Sequence, residues 1–113
     1  MMTDQKNCPE LSVEEVADLL AQGRAVILDA NPRRRWSSGH LPGAINVDPA
    51  AFTETDLPAA KDGILIFYCG ESGGSASRYA AQKAARMGFA HVFTMPAGLK
   101  GWMAAGHRAM AGR

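Results

Sequence analysis

The run Ile64-Leu65-Ile66-Phe67-Tyr68 limits most sharply what this chain can fold into. Five consecutive apolar residues, rich in β-branched and aromatic types, fit a strand buried on both faces. A half-solvated strand would alternate apolar with polar residues. The run stops at Cys69 and passes into a polar, glycine-rich turn, Gly70-Glu71-Ser72-Gly73-Gly74. From about Ser75 to Met87 the spacing predicts a helix with Ala76, Tyr79, Ala80, Ala84 and Met87 facing inward and Gly88 at its end. A doubly buried strand leading through a turn into a helix belongs to a parallel sheet, because only crossover helices cover both faces.

The rest of the chain repeats this alternation. Ser12, with Glu15 three residues on, reads as a capping box, and Leu11 with Val16 as a hydrophobic staple. Val13, Val16, Ala17 and Leu20 then make one apolar stripe that Gly23 ends. Ala25-Val26-Ile27-Leu28 is a second buried strand, and a short helix runs from Pro32 through Trp36 to a stop at Gly39. Ala44 to Val47 and His91 to Met95 read as further strands, and Trp102 with Met103 anchors a last short helix. The fold class expected is α/β, a central parallel sheet with helices on both faces and right-handed crossovers. The 113 residues suffice for one domain, placed at residues 11–108 between a polar tail at 1–10 and a short tail at 109–113.

Composition serves mainly to exclude. The net charge of +1 gives no bulk attraction to nucleic acid or to a membrane surface. No run of about 20 apolar residues is present to cross a bilayer, and the first nine residues lack the apolar stretch of an export signal. Two cysteines, Cys8 and Cys69, make neither a disulfide framework nor a zinc site. No metal and no cofactor is expected, and the expected compartment is the cytoplasm, where thiols stay reduced.

Ligands of parallel sheets bind at the carboxyl ends of the strands, and Cys69 stands at one. The glycines after it allow backbone N–H groups to converge on an anion, and the following helix directs its positive end at the same place. A cysteine there favours its thiolate and becomes a nucleophile. On this spacing alone a cysteine phosphatase, an arsenate reductase and a sulfurtransferase fit equally. Arg78, one turn into the helix, is a candidate contact for an anion, although a solvated helix face explains it as simply. The run Arg33-Arg34-Arg35 could steer an anion, but charge runs more often lie on wet surfaces. His40 is expected to hold its turn, His91 and His107 to be structural, and both tryptophans to lie in the core. Cys8 could resolve a persulfide on Cys69, but a cysteine in a tail is more often incidental.

Three separated motifs decide among the chemistries. Gly39-His40-Leu41-Pro42-Gly43-Ala44-Ile45-Asn46 resembles the G-H-I-P-G-A-x-N signature of the rhodanese family, with Asp29 at the family's strand-end Asp. Pro96-Ala97-Gly98-Leu99-Lys100-Gly101-Trp102 resembles its G-G-x-x-x-W segment, with Ala97 for the first Gly, and Ala105-Gly106-His107 its A-G-x-P ending. The resemblance runs from about Leu11 to His107 and implies an α/β rhodanese-like domain. It further implies that Cys69 carries sulfane sulfur as a persulfide, cradled by Gly70, Glu71, Ser72, Gly73, Gly74 and Ser75. The implied partners are a small sulfur donor such as thiosulfate and a thiophilic acceptor, or a protein persulfide. The implied rival is a non-catalytic binding or sulfur-relay module.

The departures from the family pattern carry their own expectations. Gly70 and Gly74 stand where many relatives have Arg, and Asn31 also replaces a usual Arg. Glu71 adds a carboxylate that disfavours the thiolate and repels a dianion. Ser77 matches the final Ser of a C-G-x-x-x-C-x-x-S subgroup whose second cysteine is Gly74 here. Thiosulfate turnover is therefore expected to be weak. A phosphatase or arsenate reductase would close a longer loop with an Arg, and Cys69 is followed at that distance by Ser75.

Overall fold

The computed structural model describes residues 8–70 and 75–112. Helix α1 (Val13–Ala21) begins with the expected reciprocal cap. Ser12 Oγ accepts from Glu15 N–H at 3.1 Å, and Glu15 Oε1 accepts from Ser12 N–H at 2.8 Å. The chain continues through strand β1 (Ala25–Asp29), helix α2 (Arg33–Ser38) and strand β2 (Ile45–Asn46), then strand β3 (Ile64–Tyr68), helix α3 (Ser75–Arg86), strand β4 (His91–Thr94) and helix α4 (Gly98–Ala104). The four strands pair in the order β2-β1-β3-β4, all parallel, with β1 and β3 central.

The two central strands are apolar on both sides, and each side has its own core. On one, Leu28, Leu65 and Phe67 pack with Ala80, Ala81 and Ala84 of α3 and with Phe52 and Phe89. On the other, Ile27, Ile66 and Tyr68 pack with Val13 and Val16 of α1, Met95, and Trp102 of α4. Helices therefore cover both faces, as the unbroken apolar runs require.

Three local expectations are corrected. Strand β2 is two residues long, because Ala44 N–H is spent in the turn, donating to Leu41 O at 3.0 Å. The buried residues of α3 are Ser77, Ala80, Ala81 and Ala84, and Tyr79 is 50% exposed. Positions 77, 80, 81 and 84 form the i, i+3, i+4, i+7 stripe, so a small serine takes the inward place given to a tyrosine. Met103 is exposed, and Trp102 anchors α4 with Leu99 packed beside the same core. Backbone pairing also extends past residues 11–108: Glu10 bridges Thr94 in parallel, and Met110 bridges His40. No helix among the described residues is long and apolar enough to cross a membrane.

Candidate active site

Cys69 follows directly on β3, at the carboxyl edge of the sheet, and is 8% exposed. Its thiol donates to Ser77 Oγ at 3.7 Å, from a buried position in the first turn of α3. A hydroxyl in that place can reverse roles and donate to the sulfur once the thiol is ionised. The neighbouring peptide is held from two sides. Leu99 N–H donates to Cys69 O at 3.3 Å, and Gly70 N–H donates to Asn31 Oδ1 at 2.8 Å.

The end of β1 supplies the support beneath. Asp29 is fully buried, with Oδ1 accepting from Asn31 N–H at 2.7 Å and Oδ2 from the Tyr68 hydroxyl at 2.6 Å. Tyr68 OH in turn accepts from Leu41 N–H at 3.0 Å. Burial raises the Asp29 carboxyl above its ordinary 3.8, against the pull of the Tyr68 hydrogen bond. Burial, together with the neighbouring carboxylate, pushes the Tyr68 phenol upward, so it stays a donor. Asn46 Nδ2 donates to Asn31 O at 2.8 Å and ties β2 into the same edge. His40 holds its turn: Nδ1 lies 2.7 Å from Trp36 O, and its ring stacks on Trp36 at 4.3 Å.

The arginine run divides by direction. Arg33 lies over the Trp36 ring at 5.2 Å. Arg35 reaches the cysteine segment, where a Cβ built on Gly70 would lie 3.6 Å from both its Cζ and Nη1. Arg34 and Arg35, with Pro32 and Ser38, line an open pocket of about 480 Å³. The run is thus more than a wet surface. α2 delivers one guanidinium to the residue after the cysteine, where the chain itself has only glycine.

Of the residues singled out in the sequence, Cys69, Gly70 and Ser75 fall at this edge, and Arg78 is exposed on α3. Gly70 offers less to a ligand than expected, since its N–H is engaged by Asn31. Glu71, Ser72, Gly73 and Gly74 lie outside the described residues. Cys8 sits elsewhere, beside Ala85, Phe89, Ala90 and Val92, and burial raises its thiol. The Glu10–Thr94 pairing puts Cys8 level with Val92, and Val92 pairs with Leu65. Cys69 is four residues further along that sheet, about 13 Å at roughly 3.3 Å per residue. Sequence reading missed Gly98 as part of the site, weighed Arg35 only within the arginine run, took Asn31 only as a departure from the family's Arg, and used Ser77 only for comparison. No group of three His, Cys, Asp or Glu among the described residues could hold a metal.

Comparison with known proteins matches residues 12–105 to the family described as the rhodanese-like domain. A human protein named thiosulfate:glutathione sulfurtransferase is 28% identical over 109 residues, covering 84% of this chain and 93% of its own. Thiosulfate sulfurtransferase GlpE of Pseudomonas savastanoi pv. phaseolicola is 27% identical over 103 residues, covering 91% of this chain and 92% of its own. A solved thiosulfate sulfurtransferase from Pseudomonas aeruginosa superposes with a TM-score of 0.82 at 29% identity. That match covers 94% of this chain and 21% of the larger protein.

Proposed function

This chain belongs to the rhodanese-like domain family, and from that membership we propose that it is a sulfurtransferase carrying sulfane sulfur on Cys69. The observation that carries the reading is the place of Cys69, ending a buried strand at the ligand-binding edge with a buried hydroxyl 3.7 Å from its sulfur. In the donor step the Cys69 thiolate attacks the outer sulfur of thiosulfate. The S–S bond of the donor breaks, sulfite leaves with the electron pair, and Cys69–S–S⁻ remains. In the acceptor step a thiolate or cyanide takes the terminal sulfur and returns the Cys69 thiolate. Atoms and charge balance in both steps without an outside oxidant or reductant. The human relative is named for thiosulfate and glutathione, which makes a small thiol the first acceptor to try.

The machinery rests on one domain at residues 11–108. The cradle assigned to the persulfide is Gly70 to Ser75, as the family resemblance implies. Ser77 Oγ, which accepts from the Cys69 thiol at 3.7 Å, turns to donate once the sulfur is ionised, and Arg78 stands near enough in sequence to meet an anion. A second reading, a relay module that receives sulfur from a protein persulfide, draws on one specific feature. Asn31 already takes the first N–H of the loop, which leaves one donor fewer for a free anion.

The test is intact mass spectrometry after incubation with thiosulfate and, separately, with a low-molecular-weight persulfide. Wild type and Cys8→Ser should each gain one sulfur atom, and Cys69→Ser none. A gain from the persulfide but not from thiosulfate selects the relay reading. No gain from either donor, or equal loss in both cysteine variants, refutes the assignment of Cys69.

A further inference from the structure

Helix α4 begins where the Cys69 peptide leaves β3, and the fit there is closer than side chains allow. Gly98 has φ +66, and a Cβ built on it would lie 2.2 Å from Cys69 O, 3.2 Å from Gly70 O and 3.3 Å from Gly70 C. All three are backbone atoms, so no side-chain rotation relieves the contact. The next residue uses this approach: Leu99 N–H donates to Cys69 O at 3.3 Å. The other end of the same peptide unit is Gly70 N–H, which Asn31 Oδ1 holds at 2.8 Å. A peptide is planar. Fixing its oxygen from α4 and its N–H from the end of β1 therefore fixes its plane, and with it the departure of the chain from Cys69.

We propose that Gly98 is a positioning residue for the nucleophile, its missing side chain letting α4 grip the Cys69–Gly70 peptide opposite Asn31. This rests on the reading of Cys69 as the sulfur carrier and adds what sets its geometry. The seat of α4 is secured from behind. Trp102 is buried, its Nε1–H donates to Arg108 O at 2.8 Å, and His107 stacks on its ring at 4.3 Å. An alanine at 98 must push α4 outward or turn the Cys69 peptide, and either displaces the sulfur relative to Ser77 and the loop.

Gly106 provides the control. It too has a positive φ, +94, but a Cβ there meets nothing within 4 Å. Gly106→Ala thus carries the backbone strain of a left-handed alanine without the contact on Cys69. Each variant is to be read in two ways: kcat and KM with thiosulfate, and the pH dependence of iodoacetamide alkylation on the Cys69 peptide. Gly106→Ala should melt at lower temperature with kcat and alkylation profile unchanged. Gly98→Ala should lose about tenfold or more in kcat with little change in KM, as displaced reacting groups do, and its alkylation profile should move. A folded Gly98→Ala that matches Gly106→Ala in both readouts overturns the proposal. If Gly98→Ala does not fold, Leu99→Pro takes its place, removing the N–H aimed at Cys69 O in the first turn, where proline is tolerated. A folded Leu99→Pro with wild-type kcat and alkylation profile likewise overturns it. Should wild type take up no sulfur, the proposed function fails, and the alkylation profiles still decide the positioning.

Discussion

At Gly70 the lack of a side chain leaves room for Arg35, whose guanidinium carbon would lie 3.6 Å from a Cβ there. The loop arginines absent from positions 70 and 74 therefore have a neighbour that can answer for part of their charge. Arg35 is exposed, so its attraction for a bound dianion is screened. About 1 kcal/mol is a fair size for such a contact, or about fivefold in kcat/KM. Arg35→Gln should lower kcat/KM for thiosulfate by that factor, through KM. It should cost less with methanethiosulfonate, a donor of single negative charge, and the difference should shrink in high salt. Equal effects on both donors would mean that Arg35 shapes the segment rather than attracting the anion. The sequence offered Arg33 to Arg35 as an anion guide and marked the missing loop arginines, but not which arginine meets Gly70. Gly70 and Asn31 are 39 positions apart in sequence, and no local pattern pairs them.

Among the elements, β1, β3 and the turn before β2 are joined by one polar chain: Asp29 Oδ2 accepts from Tyr68 OH, which accepts from Leu41 N–H. Tyr68→Phe leaves a buried carboxylate oxygen and a buried N–H without their partner, which costs about 1–3 kcal/mol each at most. A loss of about 2 kcal/mol in denaturant unfolding is expected, and a loss below 0.5 kcal/mol would show that water replaces the hydroxyl. The same carboxyl sets a pH dependence. Its folded pKa is raised above the ordinary 3.8, so the folded state binds the proton more tightly than the unfolded chain. Asp29 therefore supports stability most below pH 3.8, and that contribution declines as pH rises through the raised value. Asp29→Asn removes this decline, and its amide cannot accept from both Tyr68 OH and Asn31 N–H. It should be less stable than wild type, with a flatter stability profile across the mildly acidic range. Element types were readable because both periodicities are strong: a cap with Glu15 three residues after Ser12, and unbroken apolar strands. The inward face of α3 was misread because alanine, serine and tyrosine carry too little contrast to set the rotation of a helix.

For the whole molecule, the family match ends at residue 105, yet the backbone beyond it closes the fold. His40 and Met110 exchange two hydrogen bonds of 2.8 and 2.7 Å, and Gly112 N–H donates to Ser37 O at 2.7 Å. Arg108 O takes the Trp102 indole N–H, and His107 covers the ring. This stretch fastens α4 on one side of the site and the His40 turn on the other. Past His107, where the family resemblance stops, the sequence gave no sign of that, because backbone pairing does not depend on side-chain identity. Ending the chain after Ala105 removes six hydrogen bonds, counting those that Gly106 and His107 N–H donate back to Met103 O and Trp102 O, each worth about 0.5–1.5 kcal/mol net, and leaves the Trp102 N–H without its acceptor. Part of that is recovered by water, so a loss of about 2–3 kcal/mol is expected. For a domain of about this length that is a fall of roughly 8–24 °C in melting temperature. His40→Ala should cost less, since its backbone pair with Met110 survives and only the ring contacts with Trp36 are lost. The order of the two melts is the decisive result. If the shortened chain melts within about 3 °C of wild type while His40→Ala melts well below it, the His40 ring holds this corner and the pairing beyond residue 105 is incidental.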